Sequence, residues 1–204
     1  MKTMPNPENI KDSILDAVDR LLARHGYKKM TIEDLARAVG IGKGTIYLYF
    51  PSKQEIVLSY VDRIFNRLLE SLWKIARSEA PFSDRIKLMM ISRVQMFYDF
   101  RRHYAESLTE TLHLFRSSLV KKYRVYLQAE AEIFAAVLRD GQRAGTVGIH
   151  DLNSAARVLA LSTSALLPFN FSTREIGKRN DVIEETIIIA DFLLLGGLRA
   201  EKTK

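Results

Sequence analysis

The chain has 204 residues, 47% of them apolar, enough for one or two domains with a sizeable core. It contains no cysteine, which excludes disulfides and thiolate metal sites, and no apolar run of about 18 residues that would span a membrane. Basic residues outnumber acidic ones 31 to 24, for a net charge of +7, an excess that points toward an anionic partner without naming one.

The start is polar, carries Pro5 and Pro7, and lacks the apolar core of a signal peptide, so a cytoplasmic location is expected. Apolar periodicity is helical throughout, and an all-α fold is predicted. A first helix is expected from Asn9 to His25, with Ile10, Ile14, Val18, Leu21 and Leu22 on one face. Gly26 supplies its left-handed stop. Thr31-Ile-Glu-Asp34 reads as a capping box that starts a second helix, with Met30 and Leu35 at staple spacing. Gly40 ends that helix. A third, short helix covers Lys43 to Phe50, and Pro51 closes it. Ser52 to Glu55 then caps a long helix to about Ser78. Further helices are expected at Pro81–Arg102, His103–Phe115, Ser118–Ala144, Ala155–Leu167 and Asp181–Leu195. The helices within residues 9–50, with a tight glycine turn between the second and third, make a helix-turn-helix arrangement.

The third helix has a poor front end for stability. Gly42 and Gly44 are weak helix formers, and Lys43 opposes the helix dipole. That end suits an anion, because a helix N-terminus carries bare N–H groups and glycine permits close approach to the backbone. Thr45, Tyr47 and Tyr49 add hydroxyl donors within one and a half turns. In a helix-turn-helix unit the N-terminal residues of the second helix meet base edges in the major groove. Tyr47 and Tyr49 also suit a core, but two residues apart they cannot share one helix face.

The stretch ILDAVDRLLARHGYKKMTIEDLARAVGIGKGTIYLYFPSKQEIV, Ile14 to Val57, resembles the DNA-binding domain of the TetR family of bacterial transcriptional repressors. The helix stop HGY, the capped TIEDLA, the turn AVGIGKGT and the close YLYFPSK fall in register. The resemblance implies an N-terminal DNA-binding domain at 1–53 and a helical ligand-binding and dimerisation domain at 54–204. It implies that Thr31 holds a phosphate, that Lys43 and Thr45 face base edges or nearby phosphates, and that Gly42 and Gly44 lie where the backbone meets DNA. Tyr47, Tyr49 and Lys53 are implied as phosphate contacts. Two positions depart from the pattern. Gly42 stands where serine is common, and Leu48 where a polar or aromatic residue such as histidine is common.

The C-terminal part is rich in methionine and aromatics, which suits an adaptable apolar pocket. Trp73, Met89, Met96, Phe97, Phe100 and His113 are candidate pocket residues for a small-molecule effector. Helices at about 151–167 and 181–195 are apolar nearly all round, so each buries more than one side. The resemblance implies that they form a homodimer interface, and a two-fold dimer suits a palindromic operator. No cofactor or metal is expected. The four histidines show no metal spacing, no nucleophile elbow or phosphate loop is present, and GIGKGT follows no strand; an enzyme is not expected.

Overall fold

The computed structural model describes residues 7–103, 108–166 and 177–197. Among them are eight α-helices and no strand: α1 Pro7–Lys29, α2 Ile32–Val39, α3 Lys43–Tyr49, α4 Lys53–Ala76, α5 Phe82–His103, α6 Leu108–Arg143, α7 Leu152–Ser162 and α8 Arg179–Phe192. A short 3-10 turn, Ser164–Leu166, follows α7, and a π turn, Leu193–Gly197, follows α8. Residues 1–65 with 103–120 form one compact unit, and residues 66–102 with 121–204 a second.

Local rules set the helix ends. Gly26 breaks the helical path of α1 at φ 71 and ψ 171, after which one more turn forms with Met30 N–H donating to Gly26 O at 3.1 Å. Gly40 adopts the left-handed conformation at φ 77, and the N–H groups of Gly40 and Ile41 both close onto Ala36 O. The Ser52 hydroxyl accepts from Glu55 N–H at 3.1 Å, and Asp151 caps α7 by accepting from Ser154 N–H at 3.0 Å.

The first unit is built around Ile14, Leu15, Val18, Met30, Ile32, Leu35, Ile46, Phe50, Ile56 and Phe65, all buried. Leu21, Val39 and Ile41 are only half-buried. Phe115 belongs to this unit, where its ring meets the Tyr27 ring edge-on with centroids 4.7 Å apart. Arg63 bonds Asp16 at 2.7 Å, and the Tyr60 hydroxyl bonds Asp19.

Several boundaries differ from the periodicity: α1 runs from Pro7 to Lys29 rather than from Asn9 to His25, and α7 starts at Leu152 rather than Ala155. The two helices expected at 103–115 and 118–144 are one helix, α6, kinked at Phe115 (φ −115, ψ 16), because no glycine or proline separates them. Helix α7 stops at Ser162 rather than Leu167. There the hydroxyls of Ser162 and Ser164 bond back to Leu159 O and Ala160 O, and Thr163 Oγ1 accepts from Arg93. Leu167 itself lies outside the described residues. Helix α8 starts at Arg179, two residues early, because Asp181 accepts from Lys178 N–H at 3.0 Å.

In the second unit Leu68, Leu72, Ile86, Met89, Met90, Val94, Phe97, Phe134 and Leu138 are buried. At Gly141 the turn after α6 presses close: an added Cβ would lie 2.7 Å from Val147 Cγ2 and 3.0 Å from the Phe82 ring. Arg179 makes a two-pronged pair with Asp99 at 2.9 and 3.1 Å, and Lys87 pairs with Asp191. No helix among the described residues is long and apolar enough to cross a membrane.

Candidate nucleic-acid interface

The front end of α3 is presented by the helix before it. Thr31 and Asp34 close a reciprocal box. Asp34 N–H donates to Thr31 Oγ1 at 3.1 Å, while Thr31 N–H and its hydroxyl both donate to Asp34 Oδ2, at 3.2 and 2.7 Å. The bond from the Thr31 hydroxyl is the main reason the Asp34 carboxyl is held below the usual carboxylate range. Thr31 is exposed, but its donors serve the cap.

Gly42 is the N-cap of α3 and offers no side-chain bond; its carbonyl accepts from Thr45 N–H at 2.9 Å and Ile46 N–H at 3.3 Å. The N–H groups of Lys43 and Gly44 therefore have no partner within the helix. A Cβ at Gly44 would meet nothing within 4 Å, and one at Gly42 only Thr45 Oγ1 at 3.8 Å. No internal contact requires glycine at either position. Gly44→Ala is thus expected to raise thermal stability by roughly 0.5–1 kcal/mol while weakening binding to duplex DNA. Melting curves and fluorescence anisotropy on that one variant separate the two effects. Unchanged DNA affinity would mean that no backbone approaches there.

Ile46 anchors α3 in the core at 0% exposure, which turns Tyr47 and Leu48 outward at 45% and 84%. Tyr49 and Thr45 are half-buried. Of the two tyrosines it is Tyr47 that stands clear of the core. Lys43 reaches back to Glu33 of α2; the bond lowers the Glu33 carboxyl and raises the Lys43 ammonium. No local pattern signals this partner, which stands ten positions away. Lys53 packs its ammonium over the Tyr27 ring, 4.2 Å from the centroid, and partial burial lowers its pKa.

Four of the candidate pocket residues stand on α5. Met89 and Phe97 are fully buried in the second unit, and Met96 and Phe100 are half-buried. Trp73 instead lies at the rim of a polar cleft, with the Arg77 guanidinium 4.8 Å from its ring centroid. The side chain of His113 lies outside the described residues. What the periodicity missed is a charged cluster in the core. Arg93 and Glu130 are both 0% exposed; Arg93 Nε donates to Glu130 Oε2, and Nη1 donates to Thr163 Oγ1 at 2.6 Å. Nearby, the Tyr123 and Ser164 hydroxyls bond each other at 3.0 Å. Glu130 Oε1 is buried without a hydrogen-bond partner among the described residues. Burial outweighs the nearby guanidinium and pushes the Glu130 carboxyl up. A signal existed: Arg93 sits within the Ile86, Met89, Met90, Val94, Phe97 stripe, and Glu130 one turn before the buried Phe134. Among the described residues no group of three or more His, Asp or Glu side chains is placed to hold a metal.

The family described as "Bacterial regulatory proteins, tetR family" matches residues 14–60, from the core of α1 into α4. The HTH-type transcriptional regulator EthR of Mycobacterium tuberculosis is 30% identical over 101 residues, half of this chain and 46% of that protein. The chain therefore spans under half the length of that relative. The crystal structure of a transcriptional regulator from Cytophaga hutchinsonii aligns with a TM-score of 0.77 at 20% identity, covering 93% of this chain and 98% of that one. The structure of FadR from Bacillus subtilis in complex with stearoyl-CoA aligns with a TM-score of 0.65 at 21% identity, covering 92% and 99%. At these identities the structural likeness speaks for the fold. Residues 14–60 thus match the tetR family of bacterial regulatory proteins, and the all-helical fold is shared with solved structures along nearly the whole chain.

Proposed function

We propose that the chain is a ligand-responsive regulator of transcription, a repressor that grips a palindromic DNA operator as a homodimer. In this reading residues 1–53 read DNA, and residues 54–204 bind effector and dimerise through helices at about 151–167 and 181–195. The protein works in the cytoplasm, and it is a binding protein rather than an enzyme. The effector is a small apolar or amphipathic molecule, in keeping with the acyl-CoA held by the Bacillus FadR. Effector favours a state whose two reading heads no longer match the operator, and the population moves off DNA.

The observation that carries this reading is the α3 front end: unpaired N–H groups, two glycines that nothing inside the protein needs, and an outward Tyr47 and Leu48. Thr45, Tyr49 and Lys53 flank it as further backbone contacts, and Thr31 becomes one by turning its hydroxyl from Asp34 to a phosphate. Lys43 reaches DNA by exchanging Glu33 for a phosphate or a base edge. Leu48 is a suitable apolar partner for a thymine methyl.

The test begins with duplexes selected by the purified protein from a random pool. Lys43→Ala is expected to weaken binding to the selected site about tenfold and to reduce the salt slope by about one. Tyr47→Phe should lose roughly 2- to 12-fold, one hydrogen bond's worth. Both variants should keep the wild-type circular dichroism and native mass. Full affinity in both would end the assignment of this face to DNA.

A further inference from the structure

A cleft of about 650 Å³ opens in the second unit among the end of α4, the start of α5 and the last turns of α6. Its lining holds four arginines, Arg77, Arg85, Arg139 and Arg143, against two carboxylates, Glu79 and Asp140. The arginines differ in what already occupies them. Arg85 is committed: Nη1 donates to Ala76 O at 2.7 Å, covering the carbonyl end of α4, and pairs with Asp140 Oδ2 at 2.9 Å. Its Nε is buried with no hydrogen-bond partner among the described residues. Arg143 reaches the other oxygen of the same Asp140 only at 3.6 Å, with its side chain 78% exposed. Arg77 rests on Trp73. Arg139 is exposed, stands one helical turn before Arg143, and so shares its face of α6.

Helix-end electrostatics explain Arg85, and they give Arg143 a reason to sit in the last turn of α6. They do not explain Arg139, or Arg77 perched on an aromatic ring. One aspartate divided between two arginines leaves the cleft short of negative charge. A planar guanidinium holds phosphate oxygens in pairs and keeps its charge at any physiological pH.

We infer that this cleft is a binding site for a phosphate-bearing ligand, with Arg139 and Arg143 clasping the phosphate from α6 and Arg77 closing over it from the end of α4. The inference extends the ligand-responsive reading by giving the effector a phosphorylated end. The same chemistry serves a free di- or triphosphate and the head of an amphipathic phosphate ester.

The test is isothermal titration calorimetry of the full-length protein with inorganic pyrophosphate, coenzyme A, lauroyl-CoA and laurate. The protein is wild type or an Arg139→Gln/Arg143→Gln variant. Thermal melting checks the fold, and a second variant, Arg77→Gln, guards against loss of structure in the first. Wild type is expected to bind pyrophosphate and coenzyme A, and the double variant at least tenfold more weakly, with melting temperature unchanged. Lauroyl-CoA binding much tighter than coenzyme A marks the ligand as the amphipathic ester; equal affinities mark it as the free phosphate. No binding of any phosphate probe, or binding that both variants leave intact, overturns the site. Operator affinity measured with each probe is scored separately. Phosphate binding that leaves the operator complex untouched upholds the cleft and counts against ligand-responsive regulation.

Discussion

Replacing Arg93 by alanine is expected to destabilise the protein by about 3–5 kcal/mol, the usual result of leaving one member of a buried ion pair alone. The reason is specific to the place. Glu130 is wholly buried, one of its oxygens has no hydrogen-bond partner among the described residues, and Arg93 is the charge beside the other. Glu130→Ala should be similarly damaging, because Arg93 then keeps only hydroxyl partners. Replacing both together, Arg93→Met with Glu130→Leu, should cost far less than the sum of the single changes and can leave stability near wild type. Urea unfolding of the three variants at pH 7 completes the cycle. Additive losses would show that the two side chains do not act as a pair.

The pH dependence has a definite sign. The folded state raises the Glu130 carboxyl above its ordinary value, so it holds that proton more tightly than the unfolded chain does. The group's contribution to stability is complete below the ordinary glutamate range and declines as pH rises through it toward the raised folded value. Relative to Glu130→Gln, wild type should therefore lose ground as pH rises from about 4.

The second large effect concerns association. Helix α8 and the turn after it carry Ile188, Phe192 and Leu195 at 61%, 75% and 61% exposure, spaced to share one face, and α7 exposes Val158 and Leu161. Full burial of one such side chain is worth about 1.5–3 kcal/mol, and a two-fold interface counts it twice. If the proposed homodimer forms through this face, the double change Ile188→Glu and Phe192→Glu is expected to weaken self-association by at least about a thousandfold. The chain should then run as a monomer in analytical ultracentrifugation and lose its grip on a two-half-site duplex. Binding to a single half-site should survive, since the reading head is unaltered. A variant that remains dimeric would move the interface elsewhere.

Much of the helix-turn-helix unit is legible in the sequence because its signals are local. The Thr31–Asp34 box and the Ser52 cap each join residues three apart, and the Gly40 stop needs only freedom at one φ angle. Such geometry follows from a few neighbouring residues whatever the rest of the chain does. The Arg93–Glu130–Thr163 cluster joins residues 37 and 70 positions apart, so helical periodicity could register two misplaced charges but not their pairing. Lys43 meets Glu33 across the turn, Trp73 turns to the arginine cleft, and Phe115 joins the first unit against Tyr27. By itself the sequence determined the helical fold and those helix ends that a glycine or a three-residue cap sets, at Thr31, Gly40 and Ser52. Tertiary structure alone decided which charges are buried together and which apolar faces are left open. Burial depends on what the distant parts of the chain bring alongside, and no local pattern contains that.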